Sequence, residues 1–193
     1  MQLLLIDAIG PFFRGLSKGR TNWSKIPFAH LPLEECERRR CFDRIGEDLR
    51  SFAARVHQVG YNAVSLDDVA HLADHPWYEA EIRDMIALYR QEFRRLFAIL
   101  REQGLAIYLT MDVLSLTPRL KGKLYGDERR INEFLSELLD QLLQDFPEIA
   151  GIIMRIGESD GHDVKDHFRS ELHIRTPDQL NRLLETLLPI FER

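Results

Sequence analysis

The sequence predicts an α/β protein of four consecutive strand-helix units, with a parallel sheet and crossover helices. Three observations carry this expectation. Strand-like and helix-like periods alternate from end to end with no linker between them. Short turns such as Val59-Gly60-Tyr61 and Gln103-Gly104-Leu105 lead from a helix into the next strand, with a glycine where the helix stops. The segments that follow the strands are longer, which puts the loops able to carry chemistry on one side of the sheet.

The first unit opens with the apolar run Leu3-Leu4-Leu5-Ile6, continues through an irregular segment to about Arg40, and reaches a helix with Phe42, Ile45, Leu49, Phe52, Ala53 and Val56 at three- and four-residue steps. Tyr61-Asn-Ala-Val-Ser-Leu66 is the second strand, followed after Asp67-Asp68 by a helix from about Glu81 that repeats Ile82, Met85, Ile86, Tyr89, Phe93, Leu96, Phe97 and Leu100. The third unit pairs Leu105-Ala-Ile-Tyr-Leu-Thr110 with a helix carrying Ile131, Phe134, Leu135, Leu138, Leu139 and Leu142 before Pro147. In the fourth, Gly151-Ile-Ile-Met-Arg-Ile156 precedes Thr176-Pro177-Asp178-Gln179, which reads as an N-cap, a proline in the first turn and a capping-box glutamine.

Four such units resemble half of a TIM (β/α)8 barrel, which typically needs about 250 residues. Residues 1–193 read as a single partial barrel domain. A sheet cut at four units has two edges, Leu3 to Ile6 and Gly151 to Ile156, whose backbone groups need partners. A longer protein of which this is a fragment, two copies closing one barrel, and an open doubly wound sheet each answer that need.

Charge narrows the partners. The chain has 26 Lys and Arg against 31 Asp and Glu, a formal net charge of -5 that repels phosphate backbones and anionic lipid, so no nucleic acid and no membrane are expected as partners. The start, Met1 to Asp7, lacks a basic leader and a small-residue cleavage site, and no apolar run suffices to cross about 30 Å of hydrocarbon, so the expectation is a soluble, cytoplasmic protein. Cys36 and Cys41 lack a second pair to complete a zinc site and read as reduced thiols. His71, His75, His162, His167 and His173 have no metalloprotease spacing, and the charged residues 160–171 read as a solvated loop, so no metal is assigned. No cofactor is expected either, since Walker-type and dinucleotide glycine patterns are absent.

The chemistry-bearing residues gather where strands end. In Gly151-Ile-Ile-Met-Arg155-Ile-Gly157-Glu158-Ser159-Asp160-Gly161, an apolar strand runs out into a carboxylate among small residues that leave room for a ligand. A bend at Gly157 would bring Arg155 and Glu158 together. Asp67 with Asp68, and Thr110 with Asp112, end the two preceding strands on the same face. Each aspartate alone is as well suited to capping a helix, so their convergence is what points to a site. The first loop contributes Arg20, Asn22, Trp23 and Lys25, and this mixture of aromatic, amide and cation suits a sugar, with rings stacking on its apolar side and donors meeting its hydroxyls. The same loop also reads as a surface cover in which Phe12, Phe13 and Trp23 close over the barrel mouth or a helix.

Taken together, Tyr61 to Asp68, Leu105 to Asp112 and Gly151 to Glu158 resemble the second to fourth strands of glycoside hydrolase barrels, especially the alpha-glucuronidase-like and related families. The resemblance spans most of the chain and favours a fragment or a paired half-barrel over an open sheet. It implies a general acid at Glu158, because retaining glycosidases of the large clan place their acid/base glutamate at the end of the fourth strand. The chain departs from that pattern at Gly157, where many of those enzymes have Asn. Their nucleophile comes from a seventh strand, outside these four units. Hydrolysis needs two carboxyls, one to protonate the leaving oxygen and one to attack or activate water, and here Asp112 is the available substitute. The resemblance therefore implies a carbohydrate ligand, Glu158 and Asp112 as candidate catalytic residues, and Arg155, Asp67, Asp68, Asn22, Trp23, Lys25 and Arg20 as substrate-binding ones. It also implies a half that is incomplete alone and is completed by a homodimer partner or a complementing C-terminal half-barrel. A noncatalytic carbohydrate-binding or assembly module, and a metal-dependent barrel isomerase or hydrolase, are the alternative readings.

Overall fold

The computed structural model describes residues 2–13, 26–124, 126–157, 162–164 and 168–192. Seven strands follow in chain order: β1 (Leu5–Asp7), β2 (Ala63–Asp68), β3 (Ala106–Asp112), β4 (Leu114–Leu116), β5 (Ile149–Arg155), β6 (His162–Val164) and β7 (Phe168–Glu171). The helices are α1 (Ile9–Phe13), α2 (Glu35–Gln58), α3 (Val69–Leu72), α4 (Ala80–Glu102), α5 (Pro118–Leu124), α6 (Glu128–Asp145) and α7 (Pro177–Phe191), with a 3-10 turn at Phe28–His30.

Strands β1, β2, β3 and β5 form one parallel sheet in that spatial order. A doubly wound sheet reverses its strand order at a switch point; this one never does. With right-handed crossovers, an unreversed order stacks the long helices on one face, as one arc of a barrel does. The fold is therefore α/β with four strand-helix units, like half of a TIM barrel.

Local chemistry explains why the units repeat. Glu34 caps α2 by accepting from the N–H groups of Cys36 (3.0 Å) and Glu37 (2.7 Å). At the other end Gly60 adopts φ 96°, so that Gly60 N donates to His57 O (3.0 Å) and Tyr61 N to Val56 O (3.0 Å). The same pair of bonds recurs after α4, where Gly104 has φ 69° and Leu105 N reaches Leu100 O at 3.1 Å. Both are Schellman closures, a geometry that costs an L side chain but not glycine, and they launch β2 and β3 alike. Thr176 caps α7 through Gln179 N (3.3 Å), while Gln179 reaches back to Arg175 N (2.8 Å).

Register sorts the two faces of the sheet. Ile6, Val64, Leu66, Ile107, Leu109, Met111, Ile149, Ile152 and Met154 belong to or pack against the core under the helices. The alternate residues occupy the second face, where the pairings Asp7↔Ser65, Ser65↔Tyr108, Tyr108↔Gly151, Thr110↔Ile153 and Asp112↔Arg155 set them in rows. One row has no room to vary. A Cβ at Gly151 would stand 2.5 Å from the Tyr108 ring, so the ring lies across β5 only because that residue has no side chain.

Several features differ from the sequence reading. The strands of the last three units run later or earlier by about two residues, and α1, α3 and α5 add short helices to the long connections. The larger correction concerns the segment read as a solvated loop. Residues of β6 and β7 form a hairpin, and β7 pairs antiparallel with β4 in a separate three-stranded sheet beyond the ends of β3 and β5. Phe168 drives this. It is fully buried, stacked on Phe28 at 5.6 Å and edge-on to Tyr78 at 5.7 Å, and burying such a ring contributes about 2–3 kcal/mol, enough to offset the solvation of neighbouring charges.

Candidate functional site at the strand ends

The last residues of β1, β2, β3 and β5 are Asp7, Asp68, Asp112 and Arg155, and register places all four on the second face. Arg155 is the centre. Its Nη2 lies 2.7 Å from Asp112 Oδ1 and 3.4 Å from Asp68 Oδ2. Thr110 Oγ1 lies within donating distance of Asp67 O (2.9 Å) and of the same Asp68 oxygen (3.2 Å), and Asp68 Oδ1 accepts from Ala70 N at 2.9 Å as the cap of α3. Asp68 and Asp112 are buried, whereas the Arg155 side chain keeps 16% of its surface exposed. Two buried carboxylates thus hold the guanidinium in place at the end of a side chain that is itself not fully covered. A charged pair removed from water in this way is stable only while both partners remain, because either one alone would be an uncompensated buried charge.

Asp7 is the residue that sequence reasoning missed. It stays exposed at the end of β1; its partial loss of solvent pushes its carboxyl pKa up, and the Arg155 charge opposes that rise. The signal was available: Asp7 ends the first strand as Asp68 and Asp112 end theirs.

Asp67 goes elsewhere. It is fully buried with φ 65°, and between Ser65 and Asp68 the register of β2 against β3 shifts. Its Oδ1 accepts from Asp68 N (2.6 Å) and pairs with His71 Nδ1; its Oδ2 accepts from Ile26 N (3.3 Å). A carboxylate cannot donate, so Nδ1 of His71 carries the proton. The His71 ring packs 4.7 Å from Phe28 and 5.1 Å from Tyr89, whose hydroxyl donates to Ile26 O. A left-handed backbone costs a residue with a Cβ roughly 1–2 kcal/mol, and this closed ring of contacts supplies the compensation.

The structure therefore brings together Asp68, Asp112 and Arg155, and separates Asp67 from them. Glu158, Arg20, Asn22, Trp23 and Lys25 lie outside the described residues, although Ile26 follows directly on that loop and is anchored to Asp67. Among the described residues no three His, Cys, Asp or Glu side chains gather to hold a metal ion, and no helix is long and apolar enough to cross a membrane. His75 pairs with Glu137 at 3.4 Å, and Cys36 and Cys41 are free thiols.

No protein-family profile matches the chain, and no curated protein matches its sequence. Solved structures do. A maltogenic alpha-amylase from Thermotoga neapolitana aligns with a TM-score of 0.52 at 10% identity, over 97% of this chain and 43% of that one. GH5_18 from Streptomyces cattleya, solved in complex with GlcNAc, aligns with a TM-score of 0.45 at 20% identity, over 77% of this chain and 36% of that one. The chain thus spans less than half the length of either. The amylase alignment shows a fold shared with part of a glycoside hydrolase barrel.

Proposed function

We propose that the chain is a glycoside-hydrolase-like barrel half, a single unit over residues 1–193, that binds a carbohydrate at its strand-end mouth. One observation carries this reading: the ends of three neighbouring parallel strands converge on the guanidinium of Arg155, a partly exposed side chain held by Asp68 and Asp112. Barrels of this architecture place ligands at that end of the sheet. Arg155 donates to the ligand's oxygens, Asp68 and Asp112 orient it, and Arg20, Asn22, Trp23 and Lys25 are further sugar-binding residues. Glu158, three residues past Arg155, is the general acid of an assembled barrel. The second carboxyl of hydrolysis then comes from the completing units, supplied by a second copy or by a complementing C-terminal half-barrel.

A noncatalytic binding role is favoured by the same geometry in one respect. Both buried aspartates are spent on Arg155, so neither is free to serve Glu158 as the second acid, and Asp7, the remaining acid at a described strand end, lies across the sheet on β1. A broad glycan array probed with the purified chain tests the reading. At least one carbohydrate class should bind, and Arg155→Gln should weaken it by about tenfold or more, the scale of a charge-assisted hydrogen bond. Glu158→Gln should leave binding intact while abolishing turnover in an assembled barrel. A folded chain that binds no glycan would overturn the proposal, and turnover surviving Glu158→Gln would remove Glu158 from it.

A further inference from the structure

We infer that Asp67 is a positioning residue whose left-handed backbone inserts one extra residue into β2 and thereby decides that Asp68, not Asp67, reaches Arg155. The inference rests on the reading of Arg155 as the ligand-facing group, but its geometry stands without any ligand.

Strand alternation supplies the argument. Ser65 shares its face with Tyr108, so a regular β2 would turn Leu66 to the helices, Asp67 to the site and Asp68 to the helices again. The observed pairing is different. From Ser65↔Tyr108 to Asp68↔Thr110, β2 uses three steps where β3 uses two, which is the signature of a bulge. The extra residue is Asp67, the one described non-glycine residue with positive φ. Its insertion reverses the alternation, and Asp68 arrives beside Thr110 and Arg155.

The side chain explains why the bulge sits at this residue. Asp67 bonds its own successor's N–H, which fixes the turn locally, and its remaining capacity is met by His71 and Ile26 N. Tyr89 closes the circuit by donating to Ile26 O. The Asp67 side-chain contacts are thus distinct from those of the Arg155 guanidinium, and the two sets meet at Thr110, whose Oγ1 lies 2.9 Å from Asp67 O and 3.2 Å from Asp68 Oδ2. The circuit also fixes the position of Ile26, so one buried carboxylate sets both the placement of Asp68 on the sheet and the point at which the chain enters the Phe28–His30 turn.

Side-chain NMR of the full chain tests this directly. The Arg155 guanidinium, clamped by two carboxylates, should give slowed rotation and resolved Nη resonances, which Asp68→Asn should broaden or shift. Asp67→Gly keeps a backbone that adopts φ near 65° without strain and should retain the Arg155 signature, at reduced overall stability. Asp67→Val, β-branched and strongly averse to that conformation, should lose it as fully as Asp68→Asn does. If the valine variant fails to fold, Asp67→Ala takes its place in the comparison with Asp67→Gly. Asp67→Asn, which tolerates the left-handed region and keeps one acceptor, should rescue the signature. Folded glycine and valine (or alanine) variants with the same Arg155 spectrum, whether both retained or both lost, would overturn the inference. Because the spectrum is read without sugar, this outcome is separate from failure of the glycan array.

Discussion

The two open sides of the molecule are built from different surfaces. On α2, the face toward α4 is marked by Asp43 pairing with Arg95 and by Gly46, whose missing side chain admits Ile99. The flank turned the other way, about 100° per residue around the helix, carries Glu37, Arg44, Asp48 and Arg55. On α7, the face toward α6 is marked by Arg182 pairing with Glu128. Its opposite flank carries Leu180, Leu184, Leu188 and Phe191, with Leu188 52% and Phe191 41% exposed. The α2 flank thus ends in charge and the α7 flank in an apolar stripe beside β5, while Leu3, Leu4 and Ile9 around β1 and Val59 at the end of α2 form an apolar fringe of their own. A second copy that closed the barrel about a twofold axis would set the α7 stripe against this fringe and against the charged flank, stripping water from Glu37, Arg44 and Arg55. Among the described residues the α7 stripe is an association-prone surface.

Placing the same charge on the two faces of α7 is the strongest way to break this contrast. Leu187→Glu buries a carboxylate in a side chain site that is 1% exposed and should cost about 3–5 kcal/mol in chemical denaturation, or prevent folding. One residue on, Leu188→Glu should change stability by no more than about 0.5 kcal/mol. Equal costs would mean that Leu188 is covered in solution. The double change Leu188→Glu with Phe191→Glu should next weaken any self-association in sedimentation equilibrium by about tenfold or more, since it removes a continuous apolar flank.

Acidification separates the sides further. Burial holds the His173 pKa down, and His173 lies in the connection leading into α7. A depressed folded pKa means that the unfolded chain binds the proton more readily, so this contribution is full above about 6.5 and is lost as pH falls through the folded value. Glu34, the α2 cap, is held low by its bonds from Cys36 and Glu37 N–H groups, and its contribution persists down into the carboxylate range. Hydrogen exchange at stepped pH should therefore show β7 and α7 loosening before the first turn of α2, and His173→Phe should remove that order. The smallest effect is expected on the charged flank, where Arg44→Ala and Arg55→Ala should each stay within about 0.5 kcal/mol of the parent by thermal melting.

Much of the fold was legible because it rests on local periods. Ile82 through Leu100 repeat at helical spacing, and Gly60 and Gly104 stand where a left-handed residue must end a helix. That acids ending neighbouring strands would gather was legible from strand ends, though not which of Asp67 and Asp68 would meet Asp112. What escaped reading depends on partners distant in sequence. Leu114 pairs with Glu171, and no pattern within Phe168 to Glu171 announces a strand until that neighbour is known. The bulge at Asp67 was hidden for a related reason: alternation assigns Asp67 to the site, and only contacts with Ile26 and His71 reverse it. Asp7 was overlooked because β1 is short and its acid was read as the interruption of an apolar run.

The absence of a side chain at Gly151 makes two strands answer to each other. With the Tyr108 ring lying across β5 four residues before Arg155, any side chain introduced at position 151 has to displace that ring. An exchange on β5 at this point therefore calls for a smaller residue at position 108, and the two positions can only be redesigned as a pair.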